Sequence, residues 1–245
     1  MDKAELLRKS LGEYTGLVGI NVEELIYVVS VFAANNQLKD LYRAYFEKRS
    51  SYQVKDSQGN IADIKFDWNN GEVKMQRKTT SFKLTLLQFL KLLNLMDIFL
   101  VKILPLGTVI KLDLDLIPVE LRKSYHASIS ESLFMISGRK TPIRGAFGEF
   151  YVDYIARLYP FGESEHIQPY LISSMMVGKI VFMGMTNDLE TQFVDAVLRE
   201  ELIHKKSRSI GYLLDEEVEQ LNQAIHGTDV EKDEVSEDGT SNILS

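Results

Sequence analysis

The sequence predicts an α+β protein. Small antiparallel sheets, an N-terminal meander and a set of C-terminal strands, are flanked by helices in one compact unit with two pseudo-lobes. Three observations predict this. Apolar residues recur at helical spacing in separate blocks, as in Leu25, Val28, Val29 and Phe32. Between the blocks lie short runs alternating at period two and closed by turn residues such as Asn69-Asn-Gly71. The 245 residues are 45% apolar and 26% charged, ordinary globular values at a length that buries a sizeable core.

Taken in order, Asn21 is placed to cap a helix, and Glu24 three residues on can close a capping box. That helix ends near Ala34. A second spans Leu38 to Arg49, with Leu41, Tyr42, Tyr45 and Phe46 on one side. Residues 52–80 read as a meander, since Asn-Gly favours positive φ and Val73 and Met75 alternate with charged neighbours. Ser81 to Leu100 reads as a leucine-rich helix whose polar positions Thr85, Gln88, Lys91, Asn94 and Asp97 step by three. So wide an apolar face must be covered on several sides.

Leu104 to Ile117 is a turn and then a strand, with Asp113 and Asp115 sharing its solvent face. Ser132–Ser137, Glu149–Tyr159 and Lys179–Gly184 are three more strands, joined by loops at 138–148 and 160–169. Asn187 or Asp188 caps a helix through His204, and Asp215–Ile225 is a short last one. Residues 1–226 form a single domain, with lobes at 1–103 and 104–226. Residues 227–245, acidic and free of aromatics, read as a disordered tail.

Charge and composition exclude several functions. The tail's six acids against Lys232 account for most of the net charge of −7, leaving a nearly neutral body with no footprint for nucleic acid. The clusters Arg139, Lys140, Arg144 and Lys205, Lys206, Arg208 read as solvated turns. The absence of cysteine removes disulfides, thiolate chemistry and zinc fingers, and suits the cytoplasm. The N-terminus lacks a signal-peptide pattern. The most apolar stretch, Leu84–Ile110, is interrupted too often by polar residues for membrane insertion.

No catalytic, cofactor or metal residues are identified, and the chain does not read as an enzyme. The histidines His126, His166, His204 and His226 form no H-x-x-x-H or H-E-x-x-H pair. Gly162-Glu-Ser-Glu-His166 is like a nucleophile elbow but lacks its closing glycine and its strand-to-helix turn, so a hydrolase using Ser164 and His166 is disfavoured. Asp113 and Asp115 lack a third ligand for a cation. Gly138–Gly148 carries basic residues but no phosphate-loop order, and reads as a mobile loop.

Four ordered stretches carry a resemblance: Leu104-Pro-Leu-Gly-Thr-Val-Ile-Lys-Leu112, Leu133-Phe-Met-Ile-Ser-Gly138, Val152-Asp-Tyr-Ile-Ala-Arg-Leu-Tyr-Pro-Phe-Gly162, and Lys179-Ile-Val-Phe-Met-Gly184 before a helix. Together, from Leu104 to about Leu202, they resemble a small domain family of Gram-positive bacteria found beside LXG toxins in type VIIb secretion loci. Ala156 stands where that family has a glycine, Met185 where it has an aromatic residue, and the Ile117–Glu131 insertion is long. The first hundred residues are similar to ESX effector chaperones, with an opening strand or turn, a capped helix and a meander.

The resemblance implies a cytoplasmic chaperone or adaptor that binds an LXG effector and its small helical targeting partners for export. The alternative is an immunity protein against the toxin's catalytic domain. For the adaptor, Tyr159, Phe161, Tyr170, Met175, Met176, Met183 and Met185 are the candidate partner-binding residues, because aromatic and flexible methionine side chains suit adaptable contacts. The same residues can instead pack the core beneath the loop.

Overall fold

A computed structural model describes residues 3–17, 19–33, 37–117, 131–163, 167–221 and 223. Residues Met1–Tyr212 form one compact unit and Leu213–Ser245 a second. Ser164, His126, His166, His226, most of the Ile117–Glu131 insertion, the end of the last helix and the acidic tail lie outside the described residues.

The chain opens on α1 (Lys3–Thr15), a helix where a strand or turn is expected. Leu7, Leu11 and Tyr14 recur at intervals of four and three, and the last two are buried. α2 (Val22–Val29) starts at Asn21, whose side chain accepts from the Glu23 and Glu24 amides. A 3₁₀ turn (Ser30–Ala33) precedes α3 (Gln37–Phe46).

The meander has four strands: β1 (Ser51–Lys55), β2 (Ile61–Asp67), β3 (Glu72–Arg77) and β4 (Thr80–Thr85), paired antiparallel in that order. Residues 81–85 are therefore strand, not the first turn of the following helix. Thr85 ends the strand and caps α4 (Leu86–Leu100) in a complete capping box with Gln88. The leucine face of α4 is covered all round, with every residue from Phe89 to Phe99 except Lys91 buried.

The second sheet contains β5 (Val109–Leu112), β6 (Leu133–Pro142), β7 (Phe150–Tyr159), β8 (Tyr170–Ile172), β9 (Val177–Phe182) and β10 (Arg208–Ser209). Its order is β10-β7-β6-β5-β9, with β8 also on β7. All pairs are antiparallel except β10 with β7, a parallel pair in a set expected to be wholly antiparallel. Between β9 and β10, α5 (Asp188–Phe193), capped by Asn187, continues through a π-helical turn (Val194–Arg199) into α6 (Glu200–His204).

β6 runs on through Gly138–Pro142, a stretch that reads as a loop from its glycine and cations. A bulge lies between Ile136 and Gly138, and Gly138 leaves room for Ile155, whose side chain would stand 3.2 Å from an added Cβ. Strand β5 stops at Leu112, so Asp113 and Asp115 do not share a solvent-facing strand. Asp113 instead lies 3.0 Å from the Lys39 ammonium and 2.7 Å from Arg43. Burial opposes ionisation there, but Lys39 and Arg43 hold the Asp113 carboxyl below its usual range. Lys39 Nζ also donates to the Val177 carbonyl at 2.6 Å, tying α3 to the start of β9.

Cross-strand partners share a face of a sheet. One row, Leu158–Phe134–Ile110–Ile180, crosses from β7 to β9 on the core face, where Phe134 and Ile110 are fully buried. The next, Arg157–Met135–Val109–Phe182, lies on the outer face. The pairs Leu133–Tyr159 and Lys111–Lys179 share that outer face by alternation.

In the second unit, residues 215–221 are helical and the Leu214 amide donates to Glu217. Among the described residues no helix is long and apolar enough to cross a membrane.

Candidate functional site

The most unusual polar assembly is wholly buried. Lys140 of β6 has φ +46°, the left-handed region that β strands avoid. Its ammonium donates to Asp153 of β7 at 2.5 Å and lies 3.8 Å from Asp97 of α4. Asp153 also accepts from the Ser174 amide at 3.0 Å and from the Ser209 hydroxyl. Ser174 Oγ donates to Asp97 Oδ2 at 2.9 Å, which leaves Asp97 Oδ1 without a hydrogen-bond partner. Burial pushes the Asp97 carboxyl up to about 6, against the lowering pull of Lys140.

One turn earlier, Asn94 ties α4 to α1, β7 and β10. Its amide donates to the Tyr14 hydroxyl of α1 and, at 3.3 Å, to the Ser207 carbonyl. Its carbonyl accepts from Tyr151 and from the Ser209 amide at 3.2 and 3.1 Å. In sequence, Asn94 and Asp97 look like the polar stripe of a helix, and Lys140 like part of a solvated turn. The burial of Lys140 follows from the pairing of β6 with β7, and that of Asn94 and Asp97 from the packing of α4, for neither of which local spacing gives a signal. Arg139 is likewise occupied, paired with Glu190 of α5. Lys205 pairs with Glu201, and Arg208 is buried over the Phe150 ring.

The seven sequence-predicted anchors separate. Met175 is 2% exposed and forms a wall of a groove of about 440 Å³, together with Phe32, Leu38, Leu104 and Ile180. Tyr170 packs edge-on to Phe134, their centroids 4.9 Å apart, while Met176 and Met183 pack partly buried against the same core. These four serve the interior. Tyr159 and Phe161 are exposed at the end of β7 and in the turn beyond, and Met185 is 78% exposed after β9.

Two exposed apolar surfaces remain. The first is a stripe of Leu189, Phe193 and Val197, spaced by four along α5 and the π-helical turn. Phe193 and Val197 belong to the helix expected from Asn187 to His204. The second is the outer face and β9 edge of the six-stranded sheet, where Phe182 is 64% exposed next to Val181, with Tyr159 and Leu171 exposed toward its other side. β9 pairs with β5 alone among the described strands.

Among the described residues, no three histidine, aspartate or glutamate side chains are grouped to hold a metal ion. Neither the curated proteins nor the solved structures contain a match to the chain. Residues 103–193, from just before β5 to the end of α5, match a protein family described as a domain of unknown function (DUF4176).

Proposed function

We propose that the chain is a chaperone or adaptor that binds an LXG-type effector, with its small helical partners, for export by a type VIIb secretion system. The observation that carries this reading is the apolar stripe Leu189–Phe193–Val197, exposed on a helix where core residues would be covered. Side chains repeating every four residues match the ridge that one helix offers to the groove of another. A client helix laid along the stripe removes three large apolar side chains from water, each contributing about 1–2 kcal/mol. The four similar segments between Leu104 and Gly184 supply the choice of client.

The test is co-expression with the LXG effector of the same locus, divided into its helical and toxic halves. A stoichiometric complex with the helical half, lost in a Leu189→Ser/Phe193→Ser variant that stays folded, is the expected result. A complex with the toxic half instead makes this an immunity protein. Capture of neither half ends the export reading.

A further inference from the structure

A sheet edge carries unpaired peptide groups, and proteins usually blunt it with charge, proline or a covering segment. In β9, Ile180, Val181 and Phe182 are all exposed, on both faces of the strand, and the strand contains no proline. Its one charge, Lys179, stands directly across from Lys111 of β5 on the outer face. Like charges facing one another across a ladder destabilise it. Neither lysine has an acidic partner among the described residues, whereas Lys39 and Arg43 pair with Asp113, Arg139 with Glu190, and Arg157, far across the same outer face, with Glu163. Among the described residues, two ammonium groups without an acidic partner therefore lie at an edge that no further strand pairs, with Phe182 exposed on the same face.

We infer that β9 is a docking edge for an extended segment of a partner protein that presents a carboxylate to Lys111 and Lys179 and an apolar side chain to Phe182. Peptide hydrogen bonds along the edge supply affinity, and the lysine pair selects for acid. A second copy of this chain is the wrong occupant. Antiparallel β9-to-β9 pairing brings both lysine pairs onto one face, four ammonium groups with no acid among them. The inference is independent of which effector the helix stripe takes.

The probes are two fluorescein-labelled ten-residue peptides, one alternating glutamate with threonine and valine, the other carrying lysine at every glutamate. Binding to the full-length protein is followed by anisotropy, and docking is located by amide hydrogen exchange over residues 177–182. The acidic peptide is expected to bind at least ten-fold more tightly than its basic twin and to slow exchange in β9. A Lys111→Glu/Lys179→Glu variant is expected to reverse that preference. Should this variant not fold, Lys179→Glu alone, at an exposed position, is expected to erase it. Equal binding of the two peptides, unchanged exchange in β9, or a variant that keeps the wild-type preference overturns the inference. So does a dimer whose β9 amides are protected without peptide. Since no effector is present, failure here leaves effector binding through Leu189, Phe193 and Val197 standing, and failure of effector capture leaves this result standing.

Discussion

Two aspartates and one lysine buried together carry an excess negative charge, and the protein answers it with hydroxyls, a backbone amide and, below about pH 6, a proton. Asp153 takes the direct ion pair with Lys140 and two further donors. Replacing it by Asn removes the direct ion pair and leaves the buried ammonium only Asp97, 3.8 Å away, so Asp153→Asn is expected to cost about 2–3 kcal/mol in chemical denaturation. Asp97 is the acid left to hold the proton, facing Lys140, Asp153, Arg199 and the Tyr14, Tyr151, Tyr154 and Tyr212 hydroxyls. Its folded value of about 6 lies above that of an unfolded aspartate, so the native state binds more protons between about pH 4 and 6. The contribution of Asp97 to stability is therefore full near pH 4, falls as pH rises to about 6, and is flat beyond. Asp97→Asn removes this slope, and the variant is expected to gain on the wild type by about 3 kcal/mol across the window. Parallel pH profiles of the denaturation midpoints would exclude Asp97 as the titrating group.

Gly184 makes a different kind of demand. An added Cβ would lie 2.1 Å from the Leu106 carbonyl oxygen and 2.9 Å from the Thr108 nitrogen, both backbone atoms. The Gly184 amide also donates to the Thr108 hydroxyl. Gly184→Ala is expected to lower the melting temperature by several degrees, as overpacking of about 1–3 kcal/mol does. The closing glycine of the Lys179–Gly184 segment thus has a physical reason in the close approach of the 105–108 turn.

At the scale of elements, local chemistry specifies the helices and turns well. The stripe of α2, its Asn21 cap and the Asn-Gly turn between β2 and β3 are all readable from adjacent residues. Thr85 shows where such reading fails. Its spacing extends the leucine pattern backwards as if Ser81–Thr85 were helical, yet the capping box marks it as the residue outside the helix. Thr85→Ala is expected to cost about 1 kcal/mol, measurable as a shift in urea midpoint without a change in slope. β6 fails for the opposite reason: glycine, two cations and proline read as a loop, and only pairing with β7 makes them strand. Of the seven candidate anchors, Met175, Met176, Met183 and Tyr170 look identical in sequence to Met185, because burial is decided by partners on distant strands. Sequence reading also misses Leu189 as an exposed residue, since one turn of amphipathic helix does not reveal which side will be covered.

At the scale of the whole molecule, the segment 103–193 that matches a family is not self-sufficient. It contains Lys140, Asp153 and Ser174, but Asp97 and Asn94 lie before it and Ser207 and Ser209 after it. Excision exposes that buried charge and removes α4, whose Asn94 and Asp97 hold Tyr151, Ser174 and Ser209. A 103–193 fragment is expected to lack a cooperative thermal transition, and a 1–212 fragment to retain one, by near-ultraviolet circular dichroism. A cooperative 103–193 fragment would show that the charge cluster is dispensable.

The link from Lys39 to the Val177 carbonyl also fixes a ruler. With that oxygen already taken by α3, an incoming strand finds its first free acceptor only beyond residue 177, and β9 ends at Phe182. The footprint left is about five residues, roughly 17 Å at the rise of a strand. A guest is therefore read over a few side chains in one register, and Lys39→Met would lengthen the footprint and admit a slipped one.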